Sequence, residues 1–206
     1  MSRRYDQYCP VACTLSLVGE RWALLVVREL LHGPKRYTDL LEHLPGIGTN
    51  ILAARLKELE AAGLVEKRKL PPPAASTVYE LTPSGRELRP VLYELARFGA
   101  RLMGPPPLDA LEEGWLVDAL DLALSPVAPA GSLAFRVGAE EATLIDGVAT
   151  PGIAADADVL VETDAIGFYH LVVNRQSEGV RVEGDRAVLE RLLDAFAPPS
   201  VEPLPA

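Results

Sequence analysis

The chain has 206 residues, 49% hydrophobic and 24% charged, a balance that supports packed cores and excludes wholesale disorder. No apolar run approaches the roughly 20 residues that span a bilayer, so no membrane insertion is expected. The net charge of −9 is unevenly divided. Residues 1–104 carry 15 Lys and Arg against 11 Asp and Glu (+4), and residues 105–206 carry 5 against 18 (−13), which suits a half that approaches nucleic acid joined to something else.

Taken in chain order, Val11 to Val18 is apolar but lacks a small-residue cleavage site, so it reads as an amphipathic helix and not a signal peptide. Two cysteines make no disulfide framework, and a cytoplasmic location is the default expectation. Trp22, Leu25, Val26 and Leu30 follow helical spacing until Gly33-Pro34, and Tyr37, Leu40, Leu41 and Leu44 repeat it until Pro45-Gly46. A third helix starts near Gly48-Thr49, buries Ile51, Leu52, Leu56 and Leu59, and ends at Gly63. Leu64 to Leu70 and Thr77 to Leu81 read as two strands around a proline-rich turn. Thr82-Pro83 then opens a long helix with Leu88, Val91, Leu92, Leu95 and Leu102 on one side.

Two short helices joined by Leu44-Pro45-Gly46-Ile47-Gly48, with a basic hairpin behind them, form a candidate winged helix-turn-helix. A helix fits the major groove, and its N-terminal turn aims donors and a positive dipole end at DNA. With the leucines inward, Thr49, Asn50, Ala53, Ala54 and Lys57 take the outward side, with Arg55 at its edge. Asn50 suits an adenine edge, Lys35 and Arg36 suit phosphates, and Lys67, Arg68 and Lys69 lie on the wing. Taken singly, Arg55 and Lys57 also fit a solvated helix face, and the wing cations fit an edge strand guarded by charge.

The motifs Leu17-Val18-Gly19-Glu20-Arg21-Trp22, Arg28-Glu29-Leu30-Leu31-His32-Gly33-Pro34-Lys35-Arg36-Tyr37, Leu52 to Val65 and Tyr79-Glu80-Leu81-Thr82-Pro83-Ser84-Gly85 resemble the HxlR-type winged helix-turn-helix regulators, relatives of the MarR family. The resemblance covers residues 8–103. It implies a transcriptional regulator, in the first instance a repressor, that binds double-stranded DNA at a palindromic operator as a homodimer joined through the first and last helices of this half. Tyr37 stands where phenylalanine is common, and the wing tip is rich in proline. Cys9 matches an N-terminal cysteine that several members use to sense oxidants. At a helix start its thiol is either a redox sensor or inert, and Cys13 either its resolving partner or a small hydrophobe. Neither His32 nor His43 shows metal-ligand spacing with them, so no metal or cofactor is expected.

Gly104-Pro105-Pro106-Pro107 is the sharpest break in composition. It divides a DNA-binding and dimerisation domain, 1–104, from an α+β domain at 108–197, followed by a proline-rich tail, 198–206. The fold class is α+β throughout. In the second half a helix carries Trp115, Leu116, Ala119, Leu120 and Ala123. Strands follow at Leu133–Val137, Thr143–Gly147, Val159–Thr163 and Val180–Glu183. One helix runs from an Asp164 cap through Asn174, and a last one carries Val188, Leu189, Leu192, Leu193 and Phe196. The order from Gly131–Val137 through Ala157–Val161 to the run Gly179-Val180-Arg181-Val182-Glu183-Gly184-Asp185 resembles a sterol-carrier-type domain, which implies a tunnel for a lipid or other apolar effector. Trp115, Phe135, Ile166, Tyr169 and Leu193 are the candidate lining, or else plain core. No nucleophile–base pair or phosphate loop suggests an enzyme. The alternative reading is a lipid carrier whose first half only dimerises it.

Overall fold

In a computed structural model, residues 5–71, 75–107, 111 and 113–198 are described. Arg3 and Arg4, the wing tip 72–74 and the tail beyond Pro198 lie outside the described residues. The chain forms two compact units, Met1–Leu92 and Tyr93–Ala206.

The first unit opens with α1 (Pro10–Val18) and α2 (Ala23–Leu31), whose axes bend by 80°. Trp22, in the bend, has φ 79°, a left-handed backbone that a bulky side chain adopts only when its surroundings impose it. Then follow α3 (Tyr37–His43) and α4 (Thr49–Ala61). Leu52, Leu56 and Leu59 are buried on α4, the i, i+4, i+7 stripe of an amphipathic helix. Ile51 lies about a quarter turn off that stripe and is 47% exposed, so the expectation that it is buried is corrected. Leu25 is likewise 38% exposed. Strands β1 (Val65–Lys69) and β2 (Thr77–Leu81) pair antiparallel, Val65 opposite Leu81 and Lys69 opposite Thr77.

The long helix expected after Thr82 is two helices, α5 (Pro83–Arg86) and α6 (Arg89–Met103). Pro90 has no N–H for the Arg86 carbonyl, so a continuous helix loses a bond there. Leu88 and the apolar residues of α6 do not share one side. Leu88, Leu92 and Tyr93 are buried, whereas Val91, Leu95 and Phe98 are 41–49% exposed. The unit boundary falls inside α6, which gives Arg89–Leu92 to the first unit and Tyr93–Met103 to the second.

The rest of the second unit begins with α7 (Trp115–Ala119), which widens into a π turn at Leu120–Leu124 and tightens into a 3₁₀ turn at Ser125–Val127. A meander of β3 (Ser132–Val137), β4 (Glu140–Ile145) and β5 (Val148–Pro151) follows. The short β5 is additional to the strands expected from the sequence. Strand β6 (Val159–Thr163) returns parallel to β3, α8 (Ala165–Asn174) crosses over, β7 (Arg181–Gly184) pairs antiparallel with β6, and α9 (Arg186–Phe196) closes the unit. The sheet order is β5-β4-β3-β6-β7. Register places Leu133 between Leu144 and Val159, and Phe135 between Ala142 and Val161. That one face belongs to a core shared with Leu116, Leu120, Phe168, Leu189, Leu192 and Phe196.

Gly184 explains the Gly-Asp run. It has φ 92°, and a Cβ there would stand 2.2 Å from the Asp158 carbonyl oxygen. Asp185 then caps α9, its carboxylate accepting from the Ala187 N–H at 2.9 Å.

Candidate nucleic-acid interface

The turn Leu44–Gly48 seats α4 against α3 by burying Leu40, Leu44 and Ile47. The Tyr37 hydroxyl donates to the Thr49 carbonyl at 2.6 Å, tying the start of α3 to the first turn of α4. This is a use for the hydroxyl that a phenylalanine lacks. The Arg36 N–H donates to the Asp39 carboxylate at 2.8 Å, which caps α3 and holds that carboxyl below its ordinary value. Lys35 and Tyr79 exchange backbone hydrogen bonds of 3.0 and 2.8 Å, fixing the wing to the turn before α3.

The candidate residues divide into two groups. Arg36, Thr49, Asn50, Ala53, Lys57, Lys67 and Lys69 are exposed. Thr49, Asn50 and Ala53 stand together in the first turns of α4. Ile51 joins them, an apolar group at the end of the helix that the sequence reading placed in the core. Lys57 lies on a groove of about 610 Å³ against α1, which Leu15, Leu17 and Ala54 also line.

The second group is turned toward protein carboxylates. Lys35 keeps 18% of its side chain exposed, with Nζ 3.9 Å from Glu29 Oε2 and 3.1 Å from His43 Nδ1. Glu29 is only 8% exposed and also binds Arg28 at 2.6 Å, so a buried carboxylate gathers the cations around it. Arg55, with 13% of its side chain exposed, spans Glu58 at 2.6 Å and Glu20 at 3.6 Å. Arg68 forms a two-pronged pair with Glu80 across the wing, which lowers the Glu80 carboxyl and raises the guanidinium. The antiparallel register of the wing puts Arg68 and Glu80 diagonally on one face, whereas the Arg55–Glu20 pair joins residues 35 apart in sequence.

Cys9 is half-buried at the N-cap of α1 and Cys13 is exposed one turn on. Four of the five candidate lining residues of the second unit, Trp115, Phe135, Tyr169 and Leu193, pack in or against one core, and Ile166 lies apart from it. Phe135 and Leu193 are buried in the core, and Trp115 and Phe135 both meet Phe168 edge to face at 6.0 and 5.8 Å. Ile166 is 39% exposed beside a surface hollow of about 290 Å³ with Thr163, Asp164 and His170. The Tyr169 hydroxyl donates to the Ala100 carbonyl at 3.3 Å. Among the described residues, no three His, Cys, Asp or Glu side chains are grouped to hold a metal ion.

Residues 17–106 match the HxlR-like helix-turn-helix family. The chain is 37% identical over 98 residues to the HTH-type transcriptional regulator YodB of Bacillus subtilis, spanning 47% of this chain and 88% of YodB. It is 37% identical over 92 residues to the uncharacterized HTH-type transcriptional regulator sll1512 of Synechocystis, spanning 45% of this chain and 68% of that protein. Among solved structures, the reduced form of YodB shares 35% identity and a TM-score of 0.42, covering 49% of this chain and all of that one.

Proposed function

This chain belongs to the HxlR-like helix-turn-helix family, and from that premise we propose that it represses transcription by binding a palindromic DNA operator as a homodimer. The observation that carries the reading is the first two turns of α4, where Thr49, Asn50, Ile51 and Ala53 stand exposed beside Arg36. A short-sided helix end of this kind admits close approach to base edges, with Asn50 for an adenine and Ile51 for a thymine methyl. Arg36, Lys57, Lys67 and Lys69 supply phosphate contacts. Lys35, Arg55 and Arg68 serve first to hold the helix-turn-helix and the wing together. Exposed Val91, Leu95 and Phe98 on α6, with Val11, Leu15 and Leu17 on α1, supply apolar faces for the second copy.

The second unit acts as a sterol-carrier-like effector domain for an apolar ligand. Its mixed five-stranded sheet, with helices packed on one apolar face, supports that reading. Cys9, at the N-cap of α1 on the same helix as the apolar face, adds a thiol that oxidation can use to alter dimer geometry.

Selection of DNA from random duplexes by the full-length protein tests the central claim. A palindrome with half-sites one helical turn or a multiple apart is expected, with affinity falling steeply as salt rises, about 0.9 log units per phosphate contact. Recovery of unrelated sequences with salt-independent affinity overturns it.

A further inference from the structure

The first turn of α4 carries Asn50 and Ile51, yet it has no cap of its own. Its N-cap is Gly48, which offers no side chain to the free N–H groups there, and the turn contains no acidic residue. The chain enters it through Leu44–Gly48, with Gly46 at φ 87°. An uncapped helix end behind a glycine-rich turn opens more readily than the middle of the same helix. The contact that restrains it comes from α3. The half-buried Tyr37 donates its hydroxyl to the Thr49 carbonyl at 2.6 Å, closing a path of twelve residues.

The two residues before Tyr37 are anchored as well. Arg36 is exposed, and its N–H is fixed by the Asp39 carboxylate at 2.8 Å. Lys35 exchanges backbone hydrogen bonds with Tyr79 of the wing, and its ammonium lies 3.1 Å from His43 Nδ1 and 3.9 Å from the buried Glu29. Three consecutive residues thus join the wing, an exposed cation and the start of α4. We propose that Tyr37 is a positioning residue for sequence discrimination, its hydroxyl fixing the first turn of α4 relative to Arg36, so that Asn50 and Ile51 meet base edges in one register when Arg36 meets a phosphate. The proposal rests on the reading of α4 as the recognition helix and adds what sets its fidelity. A cation on a flexible side chain follows a phosphate through a small shift, whereas a hydrogen bond to a base edge weakens steeply with misalignment. Loosening the turn therefore costs the correct sequence more than a random one, because the correct sequence alone uses that alignment.

Tyr37→Phe removes the hydroxyl and keeps the ring. Fluorescence anisotropy titration of the full-length variant against the best operator and against a scrambled duplex of the same length tests the proposal. Operator affinity is expected to fall about three- to tenfold, the scale of one hydrogen bond, with scrambled-duplex affinity within about twofold and the salt slope unchanged. The loss should concentrate at the base position that Asn50→Ala relaxes, and the double variant should lose less than the sum of the two single ones. Amide exchange should quicken at Leu52, whose N–H is bonded to the Gly48 carbonyl at 3.0 Å, and keep its parental rate at Leu56 and Leu59, which separates a freed first turn from a general loss of stability. An equal loss on operator and scrambled duplex, or an operator preference as large as the parent's, overturns the role of Tyr37 and leaves α4 as the reading helix. A parent protein with no preference between the two duplexes overturns both.

Discussion

At the residue scale, the division between exposed and ion-paired cations makes separate predictions for residues that look alike in sequence. Asn50→Ala should cost about 1–3 kcal/mol on the best operator and relax the preference at one base position, which binding to single-base operator variants will reveal. Equal loss on every sequence would exclude Asn50 from reading bases. Arg36→Ala should lower the slope of affinity against salt by about one phosphate contact. Arg55→Ala should instead weaken the fold with the salt slope unchanged, because its guanidinium already serves Glu58 and Glu20. A drop in that slope for Arg55→Ala would show that the residue leaves its carboxylates when DNA binds.

Whole elements depend on close approaches that a single methyl group disrupts. Gly85 is buried in α5, and a Cβ there would sit 2.0 Å from the Leu64 carbonyl oxygen at the root of the wing. Thr82 reinforces the same junction, donating to the Gly63 carbonyl at 2.6 Å and capping α5 through the Gly85 N–H at 3.1 Å. Gly85→Ala should therefore destabilise the protein by about 1–3 kcal/mol, the usual cost of forcing backbone apart in a packed region, as denaturant unfolding will measure. An unchanged midpoint would mean that α5 can shift away freely. On α6, Leu95→Glu places a charge in the exposed apolar stripe. It should shift sedimentation toward monomer with little loss of secondary structure, because Leu95 is already 49% exposed. A dimer as tight as the parent would remove this face from the interface.

For the molecule as a whole, three carboxyls among the described residues are depressed and contribute to the response to acid. Asp39 is held down by the Arg36 N–H, Glu80 by the Arg68 guanidinium, and Asp158 by the N–H and hydroxyl of Ser132 at 2.7 and 3.0 Å. Each has a folded value below its unfolded one. Its contribution is therefore complete above the ordinary carboxyl range of 3.8–4.5 and is lost as pH falls through the lower folded value. Stability should thus be flat near neutrality and fall below about pH 4, and Asp158→Asn should flatten that fall, as chemical denaturation at several pH values will show. A variant with the parent's acid profile would show that the Ser132–Asp158 pair is replaced by water at no cost.

Local chemistry was sufficient for much of this protein. Gly63, Thr82-Pro83, Asp164 and Gly184-Asp185 are starts and stops that act through φ, a missing N–H or a capping carboxylate, all properties of one or two residues. The leucine stripe of α4 and the alternation in β3 likewise need only the helix and strand periods. Tertiary packing decided what depends on partners far along the chain. Ile51, Val91 and Leu95 carry the hydrophobicity of core residues but face outward, since burial depends on which side of a helix meets a neighbour. Lys35, Arg55 and Arg68 have the composition of a phosphate-binding set, yet carboxylates engage all three: Lys35 and Arg55 are mostly buried against Glu29 and Glu20, and Arg68 stays exposed but paired to Glu80 across the wing. The break in composition at Gly104–Pro107 marks where α6 cannot continue. Where the packed units divide is set instead by packing, since Tyr93, ahead of the prolines, already belongs to the core of the second unit.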